Sequence, residues 1–142
     1  MTRASAQQRA DVVRRGYEAL RGGDLPGLAA CMADEVVVDR PSLAAWGKVQ
    51  HGRKYFVDVI TRLMNCAAFE ITDAQVLEGT DEVVGILAYT LTARNSGEKM
   101  ALRIVELFKV EGGLITSIDV YDKNADDLAA FLARAEQAWV QE

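Results

Sequence analysis

The 142-residue chain is 50% hydrophobic and 26% charged, which suits one globular domain over residues 1–142. Its net charge of −5 leaves no Lys/Arg surplus to displace counterions from nucleic acid or to hold an anionic membrane, and no apolar run approaches the roughly 20 residues of a span. One histidine, His51, and two cysteines without metal spacing, Cys31 and Cys66, argue against a zinc centre or a histidine triad, so no metal or cofactor is expected.

The N-terminal MTRASAQQRADVVRR is polar, lacks the apolar region of a signal peptide and points to a cytoplasmic protein. Residues 6 to 21 read as a helix with Val13, Tyr17 and Leu20 on one face, ended by Gly22-Gly23. Asp24 caps a second, short helix through about Met32, with Pro26 in its first turn. EVVVD is a short strand, and Ser42 to Gln50 a loop centred on Trp46. Gly52 opens a third helix, Arg53 to about Met64, with Phe56, Val59, Ile60 and Leu63 as its apolar stripe; His51 before it is expected at the surface.

Four strands follow: AFEITDAQVLEG, DEVVGILAYTLTAR, KMALRIVELFKV and LITSIDVY, separated by turn signals at Asn95-Ser96-Gly97 and Gly112-Gly113. A last helix, capped by Asn124 or Asp126, carries Leu128, Phe131, Leu132, Ala135 and Trp139 on one face. Helices segregated from an antiparallel meander make the class α+β. Strands of ~12 residues in a small domain must curve, and Gly85 is read as a bulge that helps them. The expected architecture is a cone-shaped α+β barrel, a curved antiparallel sheet around three N-terminal helices with a C-terminal helix added, enclosing a pocket.

Three segments, RGYEALRGGDLPGLAACMADEVVVDRP, HGRKYFVDVI and VELFKVEGGLITSIDVYD, resemble the nuclear-transport-factor-2-like superfamily. The similarity covers about residues 8 to 133. It points to the branch with SnoaL-like polyketide cyclases, ketosteroid isomerase and limonene epoxide hydrolase. The fold hosts many reactions, so the resemblance implies architecture more firmly than chemistry. Ketosteroid isomerase uses an Asp directly before a Pro at the end of the first strand. That position is Arg40 here, with Asp39 one earlier; either the base is absent or a one-residue bulge turns Asp39 inward. Its oxyanion-binding Tyr falls on Gly16, beside Tyr17, and its protonated Asp falls on Glu106. The Asp that epoxide hydrolases and SnoaL-like cyclases carry on the last strand falls on Val120. Polyether epoxide hydrolase/cyclases pair an Asp on the first strand with a Glu on the next long one, parts that Asp39 and Glu70 could take.

Strand parity puts Leu102, Ile104, Glu106 and Phe108 on the inner face of the third meander strand, and Thr116, Ile118, Val120 and Asp122 on that of the last. The catalytic candidates are Glu106, Arg40 and Asp39. The substrate-binding candidates are Tyr17, Trp46, Phe56, Glu70, Tyr89, Leu102, Ile104, Phe108, Ile118 and Val120. Among apolar neighbours Glu106 is either protonated, and a donor to a substrate oxygen, or ionised and paired with Arg40. These readings imply a cofactor-independent polyketide cyclase with a deep apolar pocket. The alternatives are an epoxide hydrolase/cyclase, a steroid-isomerase-like enzyme or a non-catalytic binding module. A homodimer is expected across the outer sheet face through Val105 and Leu107, joined by Val83, Leu87 and Leu91 where Gly85 shifts the register, and the Trp46 loop is expected to gate the pocket.

Overall fold

A computed structural model describes residues 5–47 and 49–140, the side chains of residues 44, 45 and 137–140 excepted. Trp139, expected on one face of the last helix with Leu128 and Phe131, has its side chain outside the described residues. The first helix, α1 (Ala6–Arg21), starts in a capping box: Ser5 Oγ accepts from the Gln8 N–H at 3.1 Å, and Gln8 Oε1 accepts from the Ser5 N–H at 2.8 Å. Asp24 caps α2 (Leu25–Ala30) through the Gly27 N–H at 2.9 Å. Strand β1 (Met32–Asp39) follows, starting before the valine run. The expected loop holds a 3-10 helix, Pro41–Trp46, and a short strand, β2 (Val49–His51), paired antiparallel with β1. Three residues are too few for an alternation signal, so this strand was not legible. Then come α3 (Arg53–Cys66), β3 (Ala67–Glu78), β4 (Val83–Ala93), β5 (Lys99–Glu111), β6 (Leu114–Asp122) and α4 (Ala125–Val140).

Among the described residues six strands form one sheet in the order β2-β1-β6-β5-β4-β3. The meander β3 to β6 is antiparallel, as expected, but β1 joins β6 in parallel, with Val38 opposite Ile118 and Asp39 opposite Asp119. The sheet does not close into a barrel: β2 and β3 are free edges. Helices α1 and α3 pack on its inner side, and α4 packs on α3 and the 3-10 segment. The core they share includes Val13, Val36, Val38, Leu91, Ile115 and Phe131, all below 2% exposed.

Gly85 is not a bulge. Its register runs unbroken, Val76 opposite Gly85 and Gly85 opposite Glu106, and the irregularity in the β3–β4 pair lies between Ile71 and Asp73. Val83, Leu87 and Leu91 consequently face the core, and Val84, Ile86 and Ala88 take the outer face instead. On β6 a register shift at Lys109/Val110 makes Ile115, not Thr116, the buried residue. What Gly85 supplies is room. A Cβ there would stand 2.0 Å from the Tyr17 hydroxyl and 2.9 Å from the Phe108 ring. Replacing Gly85 with Ala is expected to cost about 1–3 kcal/mol in urea denaturation, as overpacking does. Adding Tyr17→Phe, which removes the atom nearest the new methyl, should restore part of that loss.

Candidate active site

Strand alternation decides which side chain at the end of β1 enters the interior. Val36 and Val38 are fully buried on the inner face, so Arg40 is the next inward position and Asp39 points the other way. The register shift in the β1–β6 pair lies upstream, between Met32 and Val37, and pairing is regular from Val37 to Asp39. No bulge turns Asp39 inward. Pro41 then ends the strand, lacking the N–H that another ladder bond would need. Asp39 lies instead in a groove on the outer face with Arg103, Asp119, Tyr121 and Lys123.

Glu106 is the matching inward residue of β5, 4% exposed, between Ile104 and Phe108. Tyr17 reaches it from α1 across the space that Gly85 leaves, and its hydroxyl donates to Glu106 Oε1 at 2.7 Å. Arg40 approaches the other carboxyl oxygen, Nη2 to Oε2, at 3.8 Å. Its guanidinium also stands 5.9 Å from the centre of the Phe56 ring. Burial pushes the Glu106 carboxyl above its ordinary value. The Arg40 charge and the Tyr17 hydrogen bond pull it back without reversing the rise, and Asp122 on β6 adds to it. Burial and the neighbouring carboxyl push the Tyr17 hydroxyl up strongly, so it acts as a neutral donor. Burial also raises Tyr89, with Arg40 opposing and Asp122 and Glu106 adding.

These groups form the polar end of a cavity of about 60 Å3. Tyr17, Arg40, Phe56, Tyr89, Ile104, Glu106, Phe108 and Ile118 all line it. The remaining sequence candidates lie elsewhere. Val120 lines a smaller adjoining chamber, and Leu102 is buried but outside the cavity wall. Glu70 is exposed on β3, and Asp39 is on the far side of the sheet, so the two cannot act together on a ligand in this cavity. Trp46 is 9% exposed and does not line the cavity. It is pinned beneath Arg62, whose guanidinium sits 4.3 Å above the ring and is itself paired to Glu136 of α4. The Trp46 carbonyl accepts a further bond from the Tyr55 hydroxyl at 2.8 Å. A segment held at so many points, away from the cavity lining, is not its gate.

The lining residues that remain partly exposed are Leu20, Met64 and Phe69, besides Arg40. They mark an apolar solvent side from α1, α3 and β3. None was singled out as a site residue; Leu20 and Phe69 lay in the predicted helix stripe and strand, with no feature to separate mouth from core. Ser42 and Asp122, beside Arg40, were also missed as site residues. Asp122 was legible by parity, two positions beyond Val120. No cluster of three His, Cys, Asp or Glu side chains that could hold a metal occurs among the described residues, and none of their helices is long and apolar enough to cross a membrane.

The sequence profile of the SnoaL-like domain matches residues 13–118. No curated protein matches the chain. Solved structures share the fold at low identity. A protein from Xanthomonas campestris pv. campestris, provisionally called a polyketide cyclase, is 21% identical with a TM-score of 0.79, over 91% of this chain and 99% of that one. Bal32a, from a soil-derived mobile gene cassette, is 22% identical with a TM-score of 0.77, over 89% and 98% of the two chains. TerC, co-crystallized with polyporic acid, is 15% identical with a TM-score of 0.74, over 87% and 98%.

The raised carboxyl has a consequence for stability. The folded state holds the Glu106 proton more tightly than the unfolded chain does, so its contribution is full below the ordinary value of 4.5 and is lost as pH rises through the raised folded value. Wild-type stability should therefore fall relative to Glu106→Gln as pH increases above 4.5, because Gln has no proton to lose. Urea denaturation of both proteins across the acidic-to-neutral range measures this. A wild-type stability that instead rises relative to Glu106→Gln as pH increases through 4.5 would mean that Glu106 is ionised in the folded state and paired with Arg40.

Proposed function

The chain belongs to the SnoaL-like family of the nuclear-transport-factor-2-like superfamily, and from that premise we propose that it is a cofactor-independent cyclase closing a ring in a mostly apolar, polyketide-type substrate. The observation that carries this reading is the pairing of one buried carboxyl, Glu106, with a hydroxyl donor and a guanidinium at the inner end of an otherwise apolar cavity. A carbonyl oxygen placed there meets a neutral carboxyl able to donate. As negative charge develops on that oxygen in the ring-closing step, Glu106 gives up its proton. The resulting carboxylate is stabilised by the Tyr17 hydroxyl and the Arg40 charge. The nucleophile is an enol carbon of the same chain; as it bonds to the carbonyl carbon, the enol oxygen becomes a carbonyl and its proton passes to the Glu106 carboxylate, so one group serves both transfers. The apolar walls hold a flexible chain in its reactive conformer, a contribution that reaches about 7–11 kcal/mol in ideal intramolecular cases.

The cavity is narrow: its 60 Å3 is well below the roughly 150 Å3 of an apolar cavity that admits benzene. A ring-forming substrate must therefore widen it, and the unbranched side chain of Met64 at the solvent side is suited to yield. The same narrowness favours the second reading, a binding module without turnover. Glu106→Gln separates the two. A cyclase should lose about 10²–10⁴-fold in turnover of a poly-β-ketone chain, with the fold intact by circular dichroism. A binding module should show no turnover in either protein. Polyporic acid provides an independent probe: saturable binding, weakened in Arg40→Met, is expected, and no binding of it or of the poly-β-ketone would overturn both readings.

We infer that the outer face of the sheet packs against a second copy of the chain. The register aligns Leu77, Val84 and Leu107 in one row and Ile86, Val105 and Tyr121 in the next. Leu77, Val105 and Tyr121 are 49%, 38% and 55% exposed, an apolar strip of the kind that marks an interface. Sedimentation at micromolar concentration should give a dimer that Val105→Glu dissociates. A monomer in the wild type rejects the assignment.

A further inference from the structure

Behind Arg40, away from the main cavity, lies a chamber of about 10 Å3 between β6, β4 and α4. Arg40, Ser42, Tyr89 and Asp122 contribute its polar groups, and Leu128 and Leu132 of α4 are part of its apolar wall. Three polar atoms at this chamber are buried with no partner: Arg40 Nε, Ser42 Oγ and Asp122 Oδ2. Ser42 is 3% exposed. An orphaned buried donor or acceptor carries its desolvation penalty uncompensated, and three around one space are mutually complementary: a guanidinium N–H, a hydroxyl and a carboxylate oxygen. The space is at the lower limit for one water, roughly 10–15 Å3, and a buried water typically makes about three hydrogen bonds.

We propose that this chamber binds one ordered water, and that Asp122 acts through it as a positioning residue that keeps Arg40 shared between two carboxyl groups. The water accepts from the Arg40 Nε–H, donates to Asp122 Oδ2 and makes its third bond with Ser42 Oγ. This accounts for the loose contact on the other side of the guanidinium. At 3.8 Å, Arg40 and Glu106 are well beyond the roughly 2.7–2.9 Å of a charge-assisted hydrogen bond. An arginine held back through the water by Asp122 does not close on Glu106, and Glu106 keeps its proton. The groups that face Glu106 are Tyr17 from α1, Arg40 from the end of β1, Tyr89 from β4 and Asp122 from β6. Helix α3 presents only Phe56, Ile60, Leu63 and Met64 to the cavity. Asp122 is thus the one group in this set that opposes Arg40 from behind. The inference takes its functional meaning from the reading of Glu106 as the acid of the site, but its test needs no substrate.

The test is a carbon-13 NMR titration of the full chain labelled at glutamate carboxyls, with Glu106 identified by its absence in Glu106→Gln. Asp122→Asn should move the Glu106 titration to lower pH. Two effects of the same sign produce this: the opposing negative charge is gone, and Arg40 is free to move onto Glu106. Ser42→Ala, which weakens the water site without altering any charge, should move it less in the same direction. A crystal structure of the wild type should place a water within hydrogen-bond reach of Ser42 Oγ and Asp122 Oδ2. A purely structural role for Asp122 would lower stability and leave the Glu106 titration in place, which overturns the proposal. A dry chamber with a direct Arg40–Asp122 ion pair overturns the water bridge. If Asp122→Asn does not fold, Ser42→Ala carries the test, and an unmoved titration there decides against it.

Discussion

A carboxyl group 4% exposed among apolar side chains is the constraint on which the rest of the interior depends. Leaving it ionised and alone is prohibitively costly, so its surroundings supply a hydrogen bond and a nearby cation while its own proton affinity rises. Tyr17 provides the hydrogen bond only because Gly85, directly opposite Glu106 on the neighbouring strand, has no side chain to block the hydroxyl. Arg40 provides the cation only because β1 stays in register to its end and Pro41 stops it there. Three distant sequence positions thus converge on one group, and each is restricted by it.

The cavity follows from the same arrangement. An open, curved sheet needs helices across its inner side, and α1 and α3 cannot fill the space where Tyr17 and Arg40 bend towards Glu106. The space left is polar at one end and apolar at the other. It therefore suits a ligand that is mostly hydrocarbon with one oxygen-bearing head. Outside the cavity, Trp46, Arg62 and Glu136 tie the 3-10 segment to α3 and α4 by ionic and aromatic contacts. The partly exposed part of the cavity wall is apolar, as at Leu20 and Met64.

The paired residues Asp39 and Arg40 show how little separates one chemistry from another in this fold. A shift of one residue in strand parity would put a carboxylate base in the cavity and a cation on the outer face. With the register as it is, the cavity holds an acid and a cation, and the Asp39 carboxylate belongs to the outer groove. That keeps Asp39 out of the cavity, and the carboxyl that lines it is Glu106.

Local sequence determined the elements. Capping at Ser5 and Asp24, the helix stripes, the turns at Gly97 and Gly113 and the alternation along β5 are all short-range signals, and they were sufficient for the α+β class, the meander and the inward direction of Glu106. They also left Asp39 and Arg40 undecided, because parity at a strand end depends on whether a bulge precedes it, and a bulge is set by the partner strand. The role of Gly85 was misread for a related reason: a missing side chain looks the same in sequence whether it permits a bulge or a neighbour's approach. Only the tertiary structure decided that Tyr17 fills that gap, that Trp46 is pinned under Arg62, and that Arg40 reaches Glu106. Each of these is a contact between residues far apart in the chain, whose distances are fixed by how helices seat on the sheet and not by any local preference.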